Sequence, residues 1–417
     1  MENSLYDKVL RNLKIKKQRV LDGKLNCIPF KLGAFTKDVP GIEKEQLVIV
    51  TAGSKVGKTQ LCDWLYLYTP LEYTLKNPDK CKVKILYYSL EVSKEKKIQQ
   101  MMCYLLFKMS NYNAHIDIKS LNSVFEGRPV DDRILELLET EEYKKFGKHL
   151  EEHVTFEDNI RNPTGIFLNV KEFLEKNGTW TTVNKEVHDM ATNTKVTRPV
   201  KDTYIPNDPE LYVIVVIDHL ALMNTEAKVN DVRDAMILFS SKYALELRDK
   251  YKCTVVMVQQ QAMSQEGVEN KKLGMVLPSM NGLGEAKITA RDANLILGLF
   301  SPHKLEIPKF FEYDIHYWQD NIRFMNVVGN REGGGNSVCP LLFDGATNTF
   351  LTLPLPNQDL SKYKTLVDRI RNDTYILPVT QVMAVIKPIY KNFKKLKKNV
   401  KNSNTWKNWK RKIYFHW

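Results

Sequence analysis

The stretch Ala52-Gly53-Ser54-Lys55-Val56-Gly57-Lys58-Thr59 constrains this chain more than any other part of it. It fits the phosphate-binding loop in its (A/G)xxxxGK(S/T) form. An apolar run, 47–51, precedes it, and a helical pattern, Gln60-Leu61-Cys62-Asp63-Trp64-Leu65, follows. That order is what the chemistry needs. Backbone N–H groups wrap phosphate oxygens, the helix N-terminus favours the anion, and Gly57 lets the backbone approach closely. Lys58 adds positive charge at the β- and γ-phosphates, and Thr59 offers a hydroxyl to Mg²⁺. The competing reading, an ordinary glycine turn, explains neither flank. ATP with Mg²⁺ is the expected ligand.

The 417 residues leave room for two or three domains, or for one large α/β domain with additions. A hydrophobic fraction of 43% suffices for a sizeable core. No apolar run is long enough for a transmembrane helix, and the N-terminus lacks the apolar region of a secretory signal. Cys27, Cys62, Cys81, Cys103, Cys253 and Cys339 are scattered without a CxxC pair, which argues against a zinc site or a disulfide framework. The expectation is a reduced, cytoplasmic protein. Net charge is +13, much of it in 387–417, where ten Lys and one Arg face no Asp or Glu. Aromatics interleave there (Trp406, Trp409, Tyr414, Phe415, Trp417), a pattern that suits phosphates and bases of nucleic acid. A solvated or partner-docking tail is the plainer alternative.

Residues 3–22 read as an amphipathic helix ended by Asp22-Gly23. Apolar β-type runs recur at 47–51, 83–88, 211–217, 253–258 and 294–300, with helical patterns at 58–68, 94–110, 132–151, 167–176 and 230–250. Alternation of this kind with nearly continuous apolar strands predicts an α/β fold: a mostly parallel central sheet covered by helices on both faces. Runs at 323–328 and 338–343, separated by Gly333-Gly334-Gly335, predict an antiparallel C-terminal edge. Residues 177–210 are polar and read as a surface insertion, with a hairpin as one form it can take. The predicted division is a helix over 1–26, an ATPase domain over 27–350, and an extension with the basic tail over 351–417.

Hydrolysis needs a metal-positioning acid, a group that orients water, and positive charge on the transition state. Asp218 ends the most apolar strand, where an open α/β sheet places ligands; a helix-cap Asp is the alternative. Glu91 follows another buried strand and could orient the attacking water, although Ser93-Lys94-Glu95-Lys96 is also a good helix start. Gln259-Gln260-Gln261 ends a third strand, and local pattern does not choose among the three. Arg331 sits before a glycine-rich turn, as either an arginine finger or an ordinary turn residue.

These motifs together resemble the C-terminal motor domain of DnaB-type replicative helicases, ring-forming members of the RecA-like group that include phage primase-helicases. The resemblance spans about residues 27–350. Tyr88-Ser89-Leu90-Glu91-Val92-Ser93 resembles FSLEMS, which implies Glu91 as the catalytic carboxylate. Val216-Ile217-Asp218-His219-Leu220-Ala221-Leu222-Met223 resembles VIDYLQLM, the metal motif. Val256-Met257-Val258-Gln259-Gln260 resembles IALSQ and selects Gln260 as the γ-phosphate sensor. Leu283 to Asn294 resembles LRESGxIEQDAD, a loop that lines the ring channel. This implies DNA contact at Glu285, Ala286 and Lys287, with Asp292 as the retained acid. Gly329-Asn330-Arg331-Glu332-Gly333 resembles KxRNG, which implies Arg331 as a finger reaching the neighbouring subunit.

The chain departs from the pattern where the family carries a Lys two residues before the finger. Here that residue is Gly329, which implies either weaker coupling of hydrolysis between subunits or compensation by Arg323 or Lys287. His219 replaces a Tyr and is given no role. The 3–22 helix is similar to the family's linker helix, while the 177–210 insertion and the tail have no counterpart. The resemblance implies a RecA-like core in a homo-hexamer that hydrolyses ATP, translocates on single-stranded DNA, and works with a primase or a loader. A recombinase-like filament ATPase and a non-unwinding regulatory or loading ATPase are the two alternatives.

Overall fold

The computed structural model describes residues 4–189, 194–267, 270, 274–284, 287–335 and 337–372. The 387–417 tail, Glu285 and Ala286 lie outside these residues.

Strands form where β-branched and aromatic residues run without polar interruption. The central sheet uses β1 (Leu47–Ala52), β2 (Lys82–Ser89), β3 (Val154–Glu157), β4 (Leu211–Asp218), β5 (Thr254–Gln260), β6 (Leu295–Phe300), β7 (Ile322–Asn330), β8 (Val338–Asp344) and β9 (Thr349–Thr352). Their order is β9-β8-β7-β6-β1-β5-β4-β2-β3. The six strands from β6 to β3 pair in parallel, and β7, β8 and β9 add in antiparallel fashion. The sheet is therefore mostly parallel with an antiparallel C-terminal edge. The strand tips of its parallel part point one way, so β1, β2, β4 and β5 deliver their loops to a single rim.

Alternation places Val48, Val50 and Ala52 of β1 in one core layer and Leu47 and Ile49 in the other. All are fully buried, which is why β1 reads as an unbroken apolar run. Each such side chain contributes about 1.5–3 kcal/mol on burial. On the first face, α2 (Lys58–Asp63) continues through a π-helical stretch, Trp64–Tyr68, into α3 (Thr69–Lys76). α4 (Lys94–Met109) and α5 (Glu141–His153) pack on the same side. α6 (Pro163–Lys176) and the helical run from Val232 to Asp249 cover the other face.

The polar segment before β4 is a two-stranded antiparallel ribbon, Gly178–Asp189 with Thr194–Pro206. Its base is fixed by Trp180, Tyr204 and Tyr251, whose rings lie 5.1–5.7 Å apart. α1 (Leu5–Leu21) starts on a Ser4 cap and buries none of its residues. Leu5, Tyr6, Val9, Leu13 and Val20 remain exposed. Arg19 ties its C-terminal end to the domain through paired bonds to Glu210 at 2.6 and 2.9 Å. No helix among the described residues is long and apolar enough to cross a membrane.

Candidate nucleotide site

The loop between β1 and α2 has a backbone suited to an anion. Lys55 has φ +58° and Gly57 φ +111°, two positive-φ positions of the kind that anion-binding backbone nests use. At Gly57 any side chain would be strained. Two cationic side chains outside the loop fix its peptide planes. Lys304 Nζ donates to the Ser54 carbonyl at 2.8 Å, and Arg323 Nε donates to the Val56 carbonyl at 2.8 Å. In a trans peptide the C=O and the next N–H point in opposite directions. Holding those carbonyls outward therefore turns the N–H groups of Lys55 and Gly57 the other way.

This use of Arg323 corrects an expectation. Arg323 is 1% exposed, and its remaining N–H groups go to Asp320 and to the Ile322 carbonyl. Its guanidinium also lies 4.5 Å from the Phe343 ring centroid. Burial pushes its pKa down and Asp320 opposes this. A guanidinium so enclosed cannot reach a neighbouring subunit in place of a Lys at 329. Gly329 itself faces Met280, whose Cε would stand 2.4 Å from an added Cβ. Neither Lys304 nor Arg323 was assigned to the loop from sequence, because both come from distant segments.

Thr59, in the first turn of α2, meets Asp218 at the tip of β4: its hydroxyl donates to Oδ1 at 2.9 Å. A hydroxyl and a carboxylate oxygen converging at the helix N-terminus are hard donors of the kind Mg²⁺ takes. The residues present therefore fit the cation. Asp218 is fully buried, so it would act through Thr59 or a bridging water.

The other oxygen of Asp218 is held by a group the sequence reading missed. Lys97, on α4, is 1% exposed, and its ammonium donates to Asp63 Oδ2 at 3.0 Å, Asp218 Oδ2 at 3.2 Å and Tyr87 Oη at 2.8 Å. All three N–H donors are thereby engaged. The Tyr87 hydroxyl in turn donates to Asp63 Oδ1 at 2.6 Å. Burial would push the Lys97 ammonium down, but Asp63 and Asp218 outweigh it, and its pKa is raised. Burial also pushes the Asp63 carboxyl up, against the pull of Lys97. The cluster joins the phosphate-loop helix, β2, β4 and the helix that follows Glu91.

Glu91 lies just past β2, half exposed, with Oε2 3.8 Å from Nε2 of His219. That is too long for a hydrogen bond but close enough to share a cavity. His219 was given no role, yet burial first and Lys58 second lower the pKa of this ring beside Glu91. Its Nδ1 is buried without a protein partner among the described residues.

At the end of β5 the three glutamines separate by environment. Gln259 is buried and accepts from the Thr289 hydroxyl at 2.7 Å; Gln261 is buried and donates to Thr51 at 3.0 Å. Gln260 is half-buried and lines a surface cavity of about 320 Å³ with Ser54, Lys55 and Lys304. The segment carrying Lys287 hangs from the same strand end. Gln261 bridges to Leu283, Ala262 N–H donates to the Gly282 carbonyl at 2.7 Å, and Thr289 holds Gln259. Lys287 is exposed, and Asp292 is pinned by the hydroxyls of Ser240 and Ser241 at 2.6 and 2.7 Å.

Lys58, Thr59, Asp218, Glu91, Gln260 and the residues of the loop 52–57 thus share one rim, whereas Arg331 does not. Asn330 pairs with Leu295, which pairs with Val48, and the Arg331 N–H bonds Asn294. Arg331 is therefore level with the start of β1, while the loop follows its end. Six residues at about 3.3 Å each put roughly 20 Å between them along the strand.

No protein-family model matches this chain, and no curated protein sequence matches it. Among solved structures, the ATPase domain of G40P aligns with a TM-score of 0.56 at 16% identity, over 85% of this chain and 100% of that one. A DnaB-like replicative helicase, described with its interactions with primase, aligns with a TM-score of 0.54 at 15% identity, over 85% of this chain and 69% of that one. By fold, this chain is similar to the ATPase domains of DnaB-like replicative helicases, the group its motifs resemble.

Proposed function

We propose that this chain is an ATP-driven motor on single-stranded DNA that works as a homo-hexameric ring. The observation that carries this reading is the position of Arg331, exposed at the end of the sheet opposite the phosphate loop of its own chain. A head-to-tail interface brings that end of one subunit to the loop of the next, and such interfaces form a ring when the rotation between subunits closes and an open filament when it does not. The exposed apolar face of α1 suits the same packing.

In this reading the residues of the loop 52–57 and Lys58 bind the triphosphate. Thr59, with Asp218 behind it, would hold Mg²⁺, which would supply positive charge to the bound triphosphate. Glu91 orients the attacking water, and Arg331 of the next subunit stabilises the transition state. Gln260 reports loss of the γ-phosphate along β5. Because Gln259 and Gln261 anchor the segment over 283–292, that report reaches Lys287, and with it Glu285 and Ala286 as the DNA-contacting stretch. Primase or a loader is the class of partner this role calls for.

The test is a forked duplex with ATP. Lys58→Ala should abolish both hydrolysis and strand displacement; displacement that survives the substitution would refute the motor reading. Thr289→Val should leave DNA-free hydrolysis within about tenfold, since one hydrogen bond is worth about 0.5–1.5 kcal/mol. Its stimulation by single-stranded DNA should fall. A loss of basal hydrolysis equal to the loss of stimulation would show that Thr289 only supports the site.

A further inference from the structure

At the C-terminal end of α5, away from the nucleotide rim, His149, Glu152 and His153 occupy the i, i+3 and i+4 positions and so share one helix face. One ligand atom from each lies within 4.8 Å of the others, and the two imidazole centroids are 4.3 Å apart. Both rings are half-buried, while Glu152 is exposed at the mouth.

Hydrogen bonds fix the two tautomers. Nδ1 of His153 is 2.9 Å from the Val83 carbonyl, which can only accept, so Nδ1 carries the proton and Nε2 keeps a lone pair. Nε2 of His149 is 3.0 Å from the Thr74 hydroxyl, whose own proton goes to the Pro70 carbonyl at 2.9 Å. The Leu71 carbonyl at 3.2 Å is a second acceptor for that hydroxyl, and with its proton on either carbonyl Nε2 of His149 is the donor and Nδ1 keeps the lone pair. Each ring donates one N–H to the protein and leaves the other nitrogen as a ligand, the arrangement that orients histidines around a metal.

We propose that His149, Glu152 and His153 form a three-ligand site for Zn²⁺ or a similar first-row transition ion, with a fourth position open to water. Two imidazoles and one carboxylate suit Zn²⁺ and are a poor set for Mg²⁺, which demands oxygen ligands. Zinc–ligand bonds of about 2.1 Å in a tetrahedron bring the donor atoms to about 3.4 Å of one another, within reach of small side-chain rotations from the present spacing. The site clips the last turn of α5 to Thr74 on α3 and to Val83 on β2, beside the edge strand β3. It is independent of the proposed motor activity.

The experiment is a Zn²⁺ titration of the full chain against a chromophoric chelator, with millimolar Mg²⁺ present, and a parallel Co²⁺ titration followed by visible absorption. The expected result is one tight equivalent per chain with a Co²⁺ spectrum free of thiolate charge transfer. His149→Gln and His153→Gln, which keep a donor for Thr74 and Val83, should each weaken it by well over about tenfold. Glu152→Gln, at an exposed position, should weaken it by about tenfold or more without changing the metal-free melting temperature. Absence of a tight equivalent, or an equivalent unchanged in the His149→Gln/His153→Gln double variant, overturns the proposal.

Discussion

Lys97→Ala should destabilise the fold by about 3–5 kcal/mol, the usual cost of removing one partner from a buried ion pair and leaving the other charge unpaired. Two carboxylates, Asp63 and Asp218, lose their shared cation at once, and neither is exposed enough for water to replace it. Denaturant unfolding measures the loss. The pair Asp63→Leu/Lys97→Met separates stability from function. Replacing a buried ion pair by apolar residues of similar size is often neutral or stabilising, so the double variant should recover the part of the lost stability that belongs to Asp63, while Asp218 stays buried without its cation. Its hydrolysis rate should nevertheless stay well below that of the unaltered chain. Oδ2 of Asp218 then keeps only the Tyr87 hydroxyl at 3.2 Å, and the carboxylate that positions Mg²⁺ through Thr59 loses its orientation. Full recovery of both quantities would reduce Lys97 to a packing role.

Arg331→Ala should lower kcat by about 10³-fold or more, the range found for arginine fingers, with little change in nucleotide affinity. The side chain is exposed and roughly 20 Å from its own loop, so neither folding nor binding within one subunit depends on it. Gly329 makes the dependence on Arg331 greater. The accompanying Lys of the resembled motif is missing, and Arg323 is committed to Val56 and Asp320. An equal loss of nucleotide binding would instead mean that Arg331 acts within its own subunit.

Much of this was legible in the chain because the deciding signals are local. The phosphate loop is contiguous and its flanks are a strand and a helix. The apolar runs of β1, β4 and β5 follow from burial on both faces. The short edge strands 154–157 and 349–352 escaped notice because each spans about one turn of sequence pattern and lies beside a stronger signal. The ion cluster was hidden for another reason. Lys94-Glu95-Lys96-Lys97 reads as a solvated helix face, and only the fold shows that Lys97 turns inward to Asp63, 34 residues away in the chain. The glutamine triplet shows the reverse case: composition could not choose among three identical residues, and the fold separates them by burial, with Gln259 and Gln261 buried and Gln260 half-buried, while both Gln260 and Gln261 line the cavity.

The proposal of a site shared between subunits meets its most direct test in a mixture. Arg331→Ala and Lys58→Ala subunits are each expected to be inactive alone. In a randomly mixed ring, about a quarter of interfaces pair an intact loop from the first with an intact Arg331 from the second. Mixing the two purified variants before measuring ATP hydrolysis should therefore restore a substantial fraction of the activity. Hydrolysis that stays at the level of either variant alone would contradict a shared site.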